Sequence, residues 1–103
     1  MKAKAWNNGR HHPSGAGYGV KVSVVDRDRW FQRDWAAIRL QVPGEGTTQV
    51  PLSESFWRRC SELRSAAIGR WLRGTGMAPW PKGEPPVLTI ELIEGSLFRL
   101  HAD

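Results

Sequence analysis

The run Asn7-Asn8-Gly9-Arg10-His11-His12, followed by Ser14 and by Gly15-Ala16-Gly17-Tyr18-Gly19, is the richest polar constellation in the chain. Amide, guanidinium and imidazole groups together can hold a phosphate, a carboxylate or the edge of a nucleobase. Three glycines at a spacing of two resemble a phosphate cradle, but such loops lie between a strand and a helix, whereas this one leads into a strand. A turn-rich arm whose glycines adopt positive φ is the plainer reading of the same residues. A second charged set follows in Asp26-Arg27-Asp28-Arg29-Trp30. In an extended segment both arginines would share one face and could bind anions. The same charges can instead pair with one another and with Arg33 and Asp34 on the surface.

Four of the six tryptophans, Trp6, Trp30, Trp35 and Trp80, fall outside the expected strands and helix. They are freer than Trp57 and Trp71 to line a pocket or to stack on a base. The candidate ligand-binding residues are therefore Asn8, Arg10, His11, His12, Tyr18, Arg27, Arg29, Trp30 and Trp35. Arginines would neutralise charge, and Trp30, Trp35 and Tyr18 would stack.

Catalytic chemistry has weaker support, and no catalytic residue, metal site or cofactor is assigned. His11 and His12 with Asp26 and Asp28 could serve a metal-dependent phosphodiesterase or nuclease. Neighbouring residues of an extended segment point opposite ways, however, and the histidine and cysteine spacings of zinc sites are missing. Ser14 near His11 and His12 is the sole approach to a hydrolytic pair, and spacing fixes no acid partner for it. Cys60 has no cysteine to pair with and falls on an apolar stripe, where a buried structural thiol is the common outcome.

The wider composition sets the frame for these residues. Lysine and arginine total 15 against 10 aspartates and glutamates, a net charge of +5, and eleven of the cations are arginine. That balance favours anionic partners, and arginine suits bidentate recognition and stacking. Residues 1–50 carry eight cations against four anions, so the N-terminal half is where an anion site is sought. With 103 residues, 40% hydrophobic, the chain reads as one globular domain. No stretch approaches the roughly 18 apolar residues of a membrane helix, and Met1-Lys2-Ala3-Lys4-Ala5-Trp6 lacks the apolar run of a signal peptide. A cytoplasmic protein that does not enter membranes is expected.

The elements that must position the candidates follow from periodicity. Residues 1–19 read as a glycine- and asparagine-rich arm, and residues 20–103 as a single domain. Val20, Val22 and Val24 alternate with polar residues as a strand, and residues 26–37 are either a short helix capped by Asp26 or a connection folded over the sheet. Ile38 to Leu52 reads as a hairpin with a loop of five residues, pairing Leu40 with Val50. Glu54 to Arg73, capped by Ser53, reads as one long helix with Phe56, Cys60, Leu63, Ala67 and Trp71 on its buried stripe. Arg64 would lie between Trp57 and Trp71 on that helix, and could stack on either or snorkel past the core edge. After a proline-rich linker, Val87 to His101 reads as a second hairpin that sets Glu91 opposite Arg99.

The expected fold is α+β: an antiparallel sheet of about five strands in the order β-β-β-α-β-β, with one long helix packed on one face. The expected function is that of a small basic binding or accessory module for an anionic or aromatic ligand, such as nucleic acid, a nucleotide or a small metabolite. The metal-dependent nuclease is one alternative. The other is a structural interaction module, with a homodimer built on edge strands and tryptophans.

Overall fold

A computed structural model describes all residues, Met1–Asp103. Seven strands form one sheet: β1 (Lys2–Asn7), β2 (Tyr18–Val22), β3 (Ala37–Val42), β4 (Gly46–Pro51), β5 (Glu62–Arg64), β6 (Val87–Glu94) and β7 (Leu97–Ala102). Three short helices interrupt them: α1 (Val24–Trp30), α2 (Glu54–Arg58) and α3 (Ala66–Gly74). The sheet order is β4-β3-β7-β6-β1-β2-β5. All neighbours are antiparallel except β3 and β7, which run parallel. The sheet curls until its outer strands β4 and β5 approach one another, so the architecture is nearly a barrel. No helix is long and apolar enough to cross a membrane.

This corrects the expected five-stranded antiparallel sheet under one long helix. The two additional strands, β1 and β5, lie on either side of β2. In β1, Ala3 and Ala5 are buried while Lys2 and Lys4 are exposed, the period-2 pattern of a strand with one face in the core. The first residues of the expected arm are thus an inner strand, paired with β2 on one side and with β6 on the other.

The long helix is divided at residues 59–65. The backbone of Arg59 leaves helical geometry, and Ser61 donates its hydroxyl proton to Val22 O while its carbonyl accepts from Val22 N. Leu63 then enters the sheet opposite Val20, and both are fully buried. Ser65 restarts the helix by accepting from Ala67 N. Leu63 satisfied the helical stripe and a strand equally well, and burial against β2 decided between them. Gly19 makes that pairing possible, since a Cβ there would stand 2.3 Å from Leu63 O.

The smaller expectations meet mixed outcomes. A short helix does occupy the segment after β2, but Ser23 caps it, through Oγ to Asp26 N, and Val24 and Val25 are exposed on it rather than continuing the strand. The β3–β4 hairpin keeps the expected facing with a three-residue connection, so Ile38 pairs with Val50 and Leu40 with Thr48. Pro43 and Gly44 occupy the centre of its turn, and Gly44 at φ 74 fits a type II turn closed from Glu45 N to Val42 O. In the β6–β7 hairpin Glu91 stands opposite Arg99, with the ion pair at 3.6 Å.

The core fills the curl of the sheet with Val20, Ile38, Leu40, Leu63, Leu88, Ile90, Phe98 and Leu100, and Ile68, Trp71 and Leu72 of α3 pack against it. At the end occupied by α1 and α2, Phe31 stacks on Phe98 at 4.9 Å and meets Phe56 edge-on at 5.3 Å.

Candidate functional site

The β1–β2 hairpin separates the candidate residues into two groups. Asn7 pairs with Tyr18 at one end and Ala3 with Val22 at the other, four residue steps or about 13 Å away. Asn8, Arg10, His11, His12 and Tyr18 lie at the first end, whereas Arg27, Arg29, Trp30 and Trp35 follow from the second. One site drawing on both groups is not assembled.

The first group is largely engaged in holding its own loop. Asn7 Oδ1 accepts from Gly9 N at 2.7 Å and from His11 N at 3.3 Å, and Asn8 Oδ1 accepts from Arg10 N at 3.1 Å. Gly15 packs directly on α3, where Gly69 leaves the room: a Cβ on Gly69 would stand 2.3 Å from Gly15 O. Tyr18 is 1% exposed, and its hydroxyl is 2.7 Å from His11 Nδ1. Trp80 meets both rings edge-on, and Arg73 donates to His11 O at 3.0 Å. His11 holds φ 48, a left-handed conformation unusual for a residue with a Cβ. His12 Nδ1 and Ser14 Oγ are 2.8 Å apart within a tight turn, both exposed. Arg10 projects from this loop without a hydrogen-bonding partner for its side chain.

The second group is divided by burial. Arg27 is buried, donating to Asp28 Oδ1 at 3.0 Å and to Phe56 O at 3.2 Å, with its guanidinium 5.6 Å from the Trp57 ring centroid. It fastens α1 to α2. Trp35 packs edge-on against Phe31 and Phe98. Arg29 and Trp30 remain exposed and lie on one another at 5.1 Å. His11, His12, Asp26 and Asp28 do not converge as a donor set, nor does any other group of three histidines, cysteines, aspartates or glutamates.

A third surface lies between the two groups, on the outward face of β1, β2 and β5. Lys4 stands directly opposite Lys21. Like charges in that relation repel, and neither ammonium forms an ion pair with a carboxylate. Glu62 is the cross-strand neighbour of Lys21 on its other side, but its carboxylate accepts instead from Arg64 Nη2 at 2.7 Å. The next row of the same face is Trp6, Gly19 and Arg64. With no side chain between them, the Arg64 guanidinium reaches over the Trp6 ring, 4.6 Å from its centroid. Lys2, one step beyond Lys4 on the same face, is paired with Asp103.

Where β2 turns into α1 this face opens into a cleft of about 430 Å³, lined by Lys2, Lys4, Lys21, Ser23, Asp26 and Val87. Lys2 being paired with Asp103, the two unpaired ammonium groups of Lys4 and Lys21 and the Ser23 hydroxyl against the Asp26 carboxylate make an environment for an anion. A larger hollow of about 640 Å³ lies beside Trp71 and the β3–β4 turn, but its one arginine, Arg99, is already bonded to Gln41 and paired with Glu91. Lys2, Lys4, Trp6, Lys21 and Arg64 were absent from the candidate set because their meeting depends on β1 and β5 being strands. The alternation of Lys2 and Lys4 with Ala3 and Ala5 was the available signal.

Comparison with known protein families, with curated proteins and with solved structures gave no match to this chain.

Proposed function

We propose that the protein is a binding module for an anionic ligand, taken up on the outward face of β1 and β2 at the cleft formed by Lys2, Lys4 and Lys21. The observation that carries this reading is the unneutralised Lys4–Lys21 pair. Two ammonium groups facing one another across a ladder cost stability, whereas a bound phosphate or carboxylate turns their repulsion into joint attraction. Lys2 and Ser23 supply further donors at the rim, and Asp26 opposes the ligand from the same wall.

Inorganic tripolyphosphate tests the reading while the natural ligand is unidentified. Followed by two-dimensional NMR at low salt, it is expected to shift the side-chain signals of Lys4 and Lys21 and the backbone amides of Val22 and Ser23 in a saturable way, and Lys4→Gln with Lys21→Gln should abolish the saturable amide shifts. Shifts confined to other lysines and arginines, or none, would overturn it. The metal-dependent nuclease is distinguished by Asp26, because Asp26→Asn removes a donor that the nuclease needs but removes a repulsive charge from the anion cleft.

Exposed Trp30 favours a second reading, an interface between copies of this chain. It lines a hollow of about 390 Å³ with Met1 and Leu92, and both Trp30 and Leu92 are exposed there. Contiguous apolar exposure of this kind is a mark of association surfaces. Sedimentation velocity on the protein and on Trp30→Ser tests it: concentration-dependent dimerisation lost in the variant supports the interface, and a monomer throughout removes it.

A further inference from the structure

The row beside the lysine pair narrows the class of anion. Arg64 is held from two sides, by the Trp6 ring beneath it and by Glu62, whose side chain is 5% exposed and accepts from both Nε at 3.3 Å and Nη2 at 2.7 Å. A carboxylate this buried scarcely moves, so it fixes where the guanidinium lies. Arg64 nevertheless remains 58% exposed. The result is a planar cation backed by an aromatic ring and open to solvent. Guanidinium planes and aromatic rings are the surfaces on which unpaired nucleobases stack.

The lysine row lies two residues along the strand from the Trp6–Arg64 row, about 6.6 Å at the usual rise. That distance is comparable with the step from one nucleotide to the next in an extended strand. A flat stacking surface and a phosphate-binding pair at this separation match the two halves of a nucleotide unit. A metal ion would be repelled by the unpaired ammonium groups of Lys4 and Lys21, and a simple inorganic anion would have no use for the stack.

Resting on the anion-binding reading above, we infer that the ligand is single-stranded nucleic acid, with a base stacked on the Arg64 guanidinium over Trp6 and the adjoining phosphates on Lys4 and Lys21. Base-paired duplex does not fit, because its bases are not free to leave the stack. The contacts carry no sequence code, since every base offers a π-face.

The test compares a fluorescent dT oligomer of about ten nucleotides with an abasic strand of the same length, which keeps the phosphates and lacks the bases. The dT oligomer is expected to bind about tenfold more tightly, the effect of roughly one stacked base. Arg64→Lys keeps the charge but not the plane, so it should remove that advantage and leave the abasic strand nearly unaffected. Trp6→Phe, which retains a ring beneath the guanidinium, should preserve it. With two lysines engaged on phosphates, affinity should fall about sevenfold between 50 and 200 mM salt. Equal binding of both strands, or an advantage that survives Arg64→Lys, would overturn the inference and leave anion binding intact. Failure of both strands and of tripolyphosphate to bind at low salt would overturn anion binding itself.

Discussion

Arg64 lies over Trp6 across a strand that contributes no side chain between them, for Gly19 occupies the intervening position. The contact joins β1 to β5 without a hydrogen bond between those strands, and it depends on β5 lying close to β2. An exposed cation–π pair of this kind contributes about 0.5–1 kcal/mol, modest for stability but enough to hold a long side chain in one place.

Gly19 should therefore tolerate substitution poorly. A Cβ there would stand 2.3 Å from Leu63 O and 3.0 Å from Arg64 Cα, both on the backbone of β5. Gly19→Ala is expected to destabilise the protein by about 2 kcal/mol by forcing the strands apart. Urea unfolding checks this through the transition midpoint at constant slope. An unchanged midpoint would show that β5 is not packed as described.

Arg27 is expected to matter for folding and not for ligand binding, contrary to its reading from sequence as an anion-binding residue. Its guanidinium is committed to Asp28, Phe56 O and the Trp57 ring, with 8% of the side chain exposed. Arg27→Met retains the apolar stem and loses the charged hydrogen bonds, costing about 2 kcal/mol. Tripolyphosphate affinity, measured where the variant is still folded, should equal that of the parent. A large loss of affinity at unchanged stability would restore Arg27 to the ligand site.

The sequence made the inward faces of several strands legible because bulky apolar residues alternate there. Ile38 and Leu40, and likewise Leu88 and Ile90, are all buried as their spacing required. β1 escaped notice because alanine marks its buried face, and Ala3 and Ala5 are too small to signal a core until β2 and β6 are known to flank them. β5 escaped because three residues carry no distinguishable period and Leu63 also completed a helical stripe. The candidate site inherited both errors. Arg64 was sought beside Trp57 or Trp71, since on one helix it would have been near them, and it meets Trp6 because it is on a strand. The glycine-rich loop was legible as a turn-rich segment, but its packing of Gly15 against Gly69 is a long-range contact that local sequence does not encode.

Asp103 provides a pH-dependent check on how Lys2 is occupied. The hydrogen bond from Lys2, with a second from Thr89, holds the Asp103 carboxyl below the ordinary aspartate range. A carboxyl depressed in the folded state adds stability above its unfolded pKa, and that contribution is lost as the pH falls through the folded value. NMR titration should place Asp103 below a free aspartate in the parent protein and return it upward in Lys2→Met. An Asp103 that titrates identically in both would mean that the pair does not form in solution.

The anion cleft is tested most directly by calorimetric titration with tripolyphosphate at low salt across three proteins: the parent, Lys21→Gln and Asp26→Asn. Removing one ammonium of the facing pair is expected to weaken binding, and removing the one carboxylate of the cleft wall to strengthen it, each by about fivefold, or roughly 1 kcal/mol, the size of a close charge pair in a water-filled cleft. Affinity rising in the order Lys21→Gln, parent, Asp26→Asn is the predicted result. Equal affinities in all three, or weaker binding by Asp26→Asn, would contradict the assignment of this face as the anion site.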